Sequence, residues 1–217
     1  PQRTLDLLAE TDVCLFGAIT SKPKDEAAKE LSPELQEAIL AMLIRSYGAE
    51  VSLLDAELAR LWTRLEQDGW LEDTVVLIFA DHGEGFYEHG KFLHGDTLYG
   101  ELTRVPALLL TPGVAPGTWQ GPTTHADLAP TLLSLLGLEV PGSVTGHAVG
   151  TAPSERVLTS LRMFSGLGSE IAGHLGDQVL HYSWSGERSF HDLGKDPLEQ
   201  EDIYDVENPA VLQIWET

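Results

Sequence analysis

The sequence predicts an α/β fold: a mostly parallel sheet between helices, followed by a small antiparallel sheet. Three observations carry this. Thr74-Val75-Val76-Leu77-Ile78-Phe79-Ala80 is an uninterrupted apolar, β-rich run, the pattern of a strand buried on both faces. Helical and strand patterns alternate from Ser32 to Gly137. Beyond Pro153 the pattern changes to short strands separated by glycine-containing turn pairs. A boundary is therefore expected near residue 153, dividing an α/β part (1–152) from an antiparallel subdomain (153–217).

Taken in order, Val13 to Ile19 reads as a short buried strand and Ser21 to Lys29 as a polar connector. Ser32 is a good N-cap, Pro33 suits the first helical position, and Glu34 favours the positive end of the helix dipole. Leu35, Ile39, Leu43, Tyr47, Val51, Leu54, Leu58, Leu61 and Leu65 recur at steps of three and four, predicting one buried stripe that runs to about Asp68. Gly69 is placed to end the helix, and Gly48 is a candidate kink. After the apolar run at 74–80, a second buried strand is expected at 105–111, then a Pro/Gly-rich loop at 112–122. A helix capped by Asp127 and closed by Gly137 follows. The meander is expected at 156–161, 170–175, 178–184 and 188–193, with turns at Gly176-Asp177 and Gly186-Glu187, and Pro209 to Trp215 adds a last helix.

Composition narrows the functional classes. Of 217 residues, 34 are acidic and 13 basic, a formal charge of -21 that opposes nucleic acid and anionic membrane as partners. No apolar run approaches the length of a membrane span, and no signal segment is visible at Pro1 to Glu10. The single cysteine, Cys14, rules out an internal disulfide or a Cys-based zinc cluster, and its apolar neighbours favour a buried structural role. Among eight histidines, His82, His89 and His94 fall close together just after the first buried strand. Ligands in open parallel sheets gather at the carboxyl ends of strands, which is where Asp81 and His82 stand. An adjacent carboxylate and imidazole offer a hard oxygen and a borderline nitrogen to a divalent cation, and Gly83 lets the backbone turn there. Taken alone, Asp-His-Gly reads equally as a helix N-cap or turn. Glu84 and Glu88 read as a solvated face, and His147, His174, His181 and His191 as structural. His125 either faces the site or ends a loop.

The surroundings of that pair are more specific. The segment from Leu71 through Asp81-His82-Gly83-Glu84, then Glu88-His89-Gly90, His94-Gly95, Thr97-Leu98-Tyr99 and Arg104-Val105-Pro106, resembles the sulfatase family of the alkaline-phosphatase superfamily. So do Tyr47 to Asp55 upstream and His125-Ala126-Asp127-Leu128-Ala129-Pro130-Thr131 downstream. His191-Asp192-Leu193-Gly194-Lys195-Asp196-Pro197-Leu198-Glu199 is similar to the family's Tyr-Asp-Leu-x-x-Asp-Pro-x-Glu segment.

The resemblance implies an alkaline-phosphatase-like α/β fold and a hydrolase of sulfate esters, with one divalent metal. That metal is commonly Ca2+, with Mn2+, Mg2+ and Zn2+ as alternatives. Asp81 and His82 match the second pair of metal ligands. The family's first pair, two adjacent aspartates, and its nucleophile segment, whose Cys or Ser becomes formylglycine, belong to the N-terminal half and have no match here; Cys14 departs from that pattern. His94 stands where many relatives carry a sulfate-contacting lysine, and becomes a candidate for binding the sulfate or protonating the leaving group. His89 is a second catalytic candidate and Lys91 a second substrate contact. The implied partners are a small-molecule or glycan sulfate ester and the N-terminal half of the same protein, with an exported or periplasmic location. A phosphate or phosphonate ester hydrolase, a phosphoethanolamine transferase of the same superfamily, or a non-catalytic binding module of this fold are the alternatives.

Overall fold

A computed structural model describes residues 32–164 and 168–216. The expected strand at Val13 to Ile19, the connector after it and the surroundings of Cys14 lie outside the described residues. Contacts divide the chain into two units, one of residues up to Ala59 with Gly85–Leu93, the other of Arg60–Glu84 with His94–Thr217. The expected boundary near residue 153 falls inside the second unit.

Helix α1 spans Pro33–Gln67 without interruption at Gly48. Its start is as expected, with the Leu35 N–H 3.4 Å from Ser32 Oγ and acidic Glu34 in the first turn. It stops where Gly69 takes the left-handed conformation (φ 73°), which costs glycine nothing. The predicted buried stripe is a correction: no residue of α1 is buried, and Leu35, Tyr47, Val51, Leu54 and Leu61 are exposed. The periodicity is real, but the face is only partly covered: Ile39, Leu43, Leu58 and Leu65 are half-buried and none of the stripe is fully buried.

In the first unit, β2 (Gly85–Phe86) and β3 (Phe92–Leu93) form a short hairpin. Tyr87 stacks on Phe92 with ring centroids 4.6 Å apart, and Tyr47 of α1 meets Phe86 edge-on at 5.3 Å.

In the second unit, β1 (Val76–Phe79) and β4 (Ala107–Leu110) match the two apolar runs. They pair antiparallel, Val76 opposite Leu110 and Phe79 opposite Ala107. The segment joining them folds into the hairpin and a four-residue helix, α2 (Gly100–Thr103). It contains no crossover helix of the kind that parallel neighbours require. The expected burial on both faces is also corrected, since Phe79, Leu108 and Leu109 are exposed. A 3-10 turn at His125–Asp127 leads into α3 (Leu128–Leu135), and Gly137 closes it with φ 69° while Leu138 N–H bonds Leu133 O at 2.9 Å. Asp127 is not a simple cap. It is the N3 partner in a capping box opened by Thr124.

The meander appears as expected: β5 (Leu158–Phe164), β6 (Gly168–Leu175), β7 (Gln178–Ser183) and β8 (Arg188–Asp192) in sequential antiparallel order. Gly176 and Gly186 supply the positive φ of its turns. Helix α4 (Pro209–Trp215), capped by Asn208 through the Ala210 N–H, lays Val211 and Ile214 against Leu180 and Phe190. Burying each of those side chains is worth about 1.5 to 3 kcal/mol. The close approach of α4 depends on Gly173, where a Cβ would stand 2.5 Å from Ile214 Cγ2.

Candidate active site

β1 ends at Phe79, two residues before Asp81, and the Ala80 between them is held from two directions. Ala80 N–H bonds Pro106 O at 3.2 Å, and His125 Nε2 donates to Ala80 O at 2.9 Å. His125, open between two readings in the sequence, therefore acts on the strand end that carries Asp81. Gly83 follows, its N–H bonded to Leu102 O at 2.9 Å. A Cβ there would sit 1.9 Å from Glu101 O, so only glycine lets the chain pass α2 this closely.

The Asp81 side chain is 86% exposed and that of His82 47%. Asp81 Oδ1 accepts the His82 N–H at 3.0 Å, which orients the carboxylate. His82 Nδ1 lies 2.8 Å from Gly83 O; a carbonyl only accepts, so Nδ1 carries the proton and Nε2 keeps its lone pair. That nitrogen is 3.9 Å from Asp81 Oδ2. Cations such as calcium bind at about 2.3–2.6 Å, so two ligands this far apart fit one ion with little movement. The backbone bond to Nδ1 is the outer-shell support that fixes a ligating imidazole. The pair thus fits a divalent cation as two of its ligands.

His94 packs on His82 with ring centroids 4.3 Å apart. Its Nδ1 is 3.3 Å from both carboxylate oxygens of Glu84, whose side chain is only 19% exposed. The sequence reading of Glu84 as a solvated face is therefore corrected: it holds an imidazole. No pattern flagged it, because the hairpin separates it from His94 by ten positions. Asp81, His82, Arg104, Thr123 and His125 line a cleft of about 880 Å³. Lys91 and His89 lie in the hairpin segment of the first unit, both half-buried. Glu88 there accepts the Phe86 N–H at 2.5 Å.

A further polar centre in the second unit escaped the sequence reading. Asp127 is 1% exposed. It accepts from His147 N at 2.8 Å and Thr124 N at 2.8 Å and forms a two-pronged pair with Arg156. Burial opposes its charge, but Arg156 and the two backbone donors outweigh that and hold the carboxyl at about 2. This anchors the start of α3 behind the cleft.

The second unit thus places a carboxylate and an imidazole just beyond a strand end, beside a carboxylate-held histidine. Comparison with known proteins narrows this. The sulfatase family model matches residues 17–138, more than half of the chain, and the chain belongs to that family. It is 30% identical over 173 residues to a choline-sulfatase of Rhizobium meliloti (strain 1021), covering 76% of this chain and 33% of that protein. It is 28% identical over 173 residues to an arylsulfatase of Clostridium perfringens (strain 13 / Type A), covering 75% of this chain and 36% of that one. The solved structure of BT4656 in complex with its substrate D-glucosamine-2-N,6-O-disulfate superposes with a TM-score of 0.68 at 18% identity, over 93% of this chain and 49% of that one. The chain thus spans about a third of the length of these curated relatives and about half of that structure.

Proposed function

We propose that this chain is the part of a sulfate-ester hydrolase that carries half of the metal site, and that it works joined to an N-terminal segment bearing the nucleophile and two further acidic ligands. One observation carries the reading: Asp81, His82 and the Glu84-held His94 converge at one strand end, within the stretch that matches the sulfatase family. Asp81 and His82 would hold one divalent cation, with Ca2+ favoured by the resemblance and Mn2+, Mg2+ and Zn2+ as alternatives. When bound, the cation supplies positive charge against the anionic oxygens of the ester. The nucleophile is expected to be a formylglycine made from an upstream Cys or Ser.

The chain's own residues then divide the work. Glu84 orients His94 through Nδ1, and the imidazole is proposed to act on the ester. From there His94 hydrogen-bonds a sulfate oxygen or passes its proton to the departing alcohol oxygen. His82 stacks beneath His94 and limits its tilt. His125 and Gly83 fix the strand end that carries the ligand pair. Lys91 and His89 are proposed as further contacts to the sulfate ester, a small molecule or a glycan. A chain of net charge -21 repels an anionic ester at long range, so the attraction must be local to the cation and these few side chains. No helix among the described residues is long and apolar enough to cross a membrane; we propose an exported or periplasmic location on the family resemblance.

The test is hydrolysis of a panel of aryl and sugar sulfates, with matching phosphate monoesters, by the joined protein. Sulfate ester turnover that is lost with Asp81→Ala supports the reading. Turnover confined to phosphate esters would transfer the chain to the phosphate or phosphonate branch of the superfamily. No turnover of either class, with the metal bound and the fold intact, would favour the binding module.

A further inference from the structure

A second cluster of titratable side chains lies under the C-terminal meander, apart from the site at β1. The register explains it. Val179 is opposite His191, and Ala172 is opposite His181. Because side chains alternate in strands, Glu170, Ala172, Val179, His181 and His191 share one face. The loop after β8 brings Glu199 to the same place. His181, His191 and Glu199 are 4%, 3% and 3% exposed. One ligand atom from each lies within 4.8 Å of the other two, and no other group of three His, Cys, Asp or Glu among the described residues meets that spacing.

Hydrogen bonds within the protein do not account for this cluster. Glu199 Oε1 accepts the Gly100 N–H at 2.8 Å, and its Oε2 lies 2.7 Å from His181 Nε2, so the carboxylate is aimed and fixed. Glu199 itself is held at φ 54°, a left-handed conformation that a residue with a Cβ adopts at a cost, and such strain gathers at functional sites. Neither ring nitrogen of His191 has a hydrogen-bond partner, and neither does His181 Nδ1. The carboxylates nearest to them are Asp196 at 3.6 Å and Glu170 at 3.5 Å. An imidazole with both nitrogens buried and neither within a well-formed hydrogen bond is expensive, and such a group calls for an occupant. Tyr99 closes the cluster on one side, its ring 4.6 Å from that of His181 and 6.1 Å from that of His191.

We propose that His181, His191 and Glu199 form a second metal site for a zinc-class cation, distinct from the Asp81 and His82 pair, which ties the loop carrying Glu199 to the meander. Two imidazole nitrogens and one carboxylate oxygen are a zinc donor set, whereas calcium needs six to eight oxygens. Tetrahedral ligands at about 2.0–2.2 Å from zinc lie about 3.3 Å apart. The His181–Glu199 contact therefore opens by a fraction of an ångström while His191 closes in, adjustments within reach of side-chain rotation. The proton between His181 and Glu199 leaves to solvent as the ion enters, and a water completes the coordination.

The experiment uses the 217-residue chain, stripped with a chelator and titrated with zinc, cobalt(II) and calcium. Expected results are one zinc per chain by elemental analysis after dialysis, visible absorption bands of tetrahedral cobalt(II), and a melting temperature raised by about 5 °C or more with excess zinc. Asp81→Ala should leave all three unchanged, and calcium should not compete. His191→Phe should abolish them. Should that variant fail to fold, Glu199→Gln, which can keep the Gly100 bond, should cut zinc affinity at least tenfold. The cobalt spectrum of the unaltered chain is a readout independent of either variant. No retained zinc, an octahedral cobalt spectrum, or zinc binding lost only with Asp81→Ala would overturn the proposal and leave a water-bridged network.

Discussion

Replacing Asp127 by Asn should be the most damaging isosteric change in the second unit. The carboxylate is 1% exposed and takes four donors: His147 N at 2.8 Å, Thr124 N at 2.8 Å, Arg156 Nη1 at 2.9 Å and Arg156 Nη2. Asparagine turns one acceptor into a donor facing N–H groups and leaves the Arg156 guanidinium, whose side chain is 15% exposed, without its counter-charge. Breaking one side of such a pair costs about 3 to 5 kcal/mol, which lowers the melting temperature by about 6 to 20 °C for a chain of this size. The pH dependence has a definite sign. Asp127 titrates at about 2 in the folded chain against 3.8 when free, so its contribution is complete above about pH 4 and is lost as pH falls toward 2. That shift corresponds to roughly 2 kcal/mol. Circular-dichroism melts at pH 7 and along an acid series should show both the drop and a flatter acid limb for Asp127→Asn. A variant that melts within about a degree of the parent at pH 7, or keeps the parent's acid limb, would refute the assignment of Asp127 as the anchor of α3.

Other substitutions test the site itself. Gly83→Ala should destabilise the chain by about 1 to 3 kcal/mol and weaken metal binding at Asp81, because its Cβ would collide with Glu101 O at 1.9 Å; denaturant melts and calcium titration check both. His94→Ala in the joined protein should lower kcat about a hundred- to a thousandfold, and Glu84→Gln less, because the imidazole loses the carboxylate that orients it; steady-state kinetics on an aryl sulfate checks both. The 217-residue chain alone should not turn over aryl sulfates, since the positioned nucleophile contributes most of the rate advantage; a discontinuous sulfate-release assay decides it.

Much of the fold was legible where local chemistry dominates. The cap at Ser32, the stop at Gly69 and the turns at Gly176 and Gly186 are set by a single residue's conformational preference. The meander's strands follow from the period-two pattern between those turns. What periodicity does not reveal is what covers a face: α1 and the β1–β4 pair have the pattern of buried elements, yet Leu54 and Leu108 are exposed. The antiparallel pairing of β1 with β4 was likewise hidden, because an apolar run does not encode the direction of its neighbour.

At the site, Asp81 and His82 stood out because they are adjacent and end a strand. Glu84 did not, because its partner His94 is reached only through the hairpin. Arg156 and Asp127 are 29 positions apart, too distant for any spacing argument. His181, His191 and Glu199 lay in segments without ligand spacing. Reading β6, β7 and β8 as alternating faces, which place Glu170, His181 and His191 on one side, is the signal that finds them.

Asp81 is the residue on which the proposed metal site depends most directly. The decisive measurement is sulfate release from an aryl sulfate by the joined protein and its Asp81→Ala variant, each titrated with calcium and the other divalent cations. The parent should turn over the ester with a rate that saturates with one cation at this site, and the variant should lose at least about a thousandfold of that rate together with the cation. Undiminished turnover by Asp81→Ala, with the fold intact by circular dichroism, would contradict this dependence.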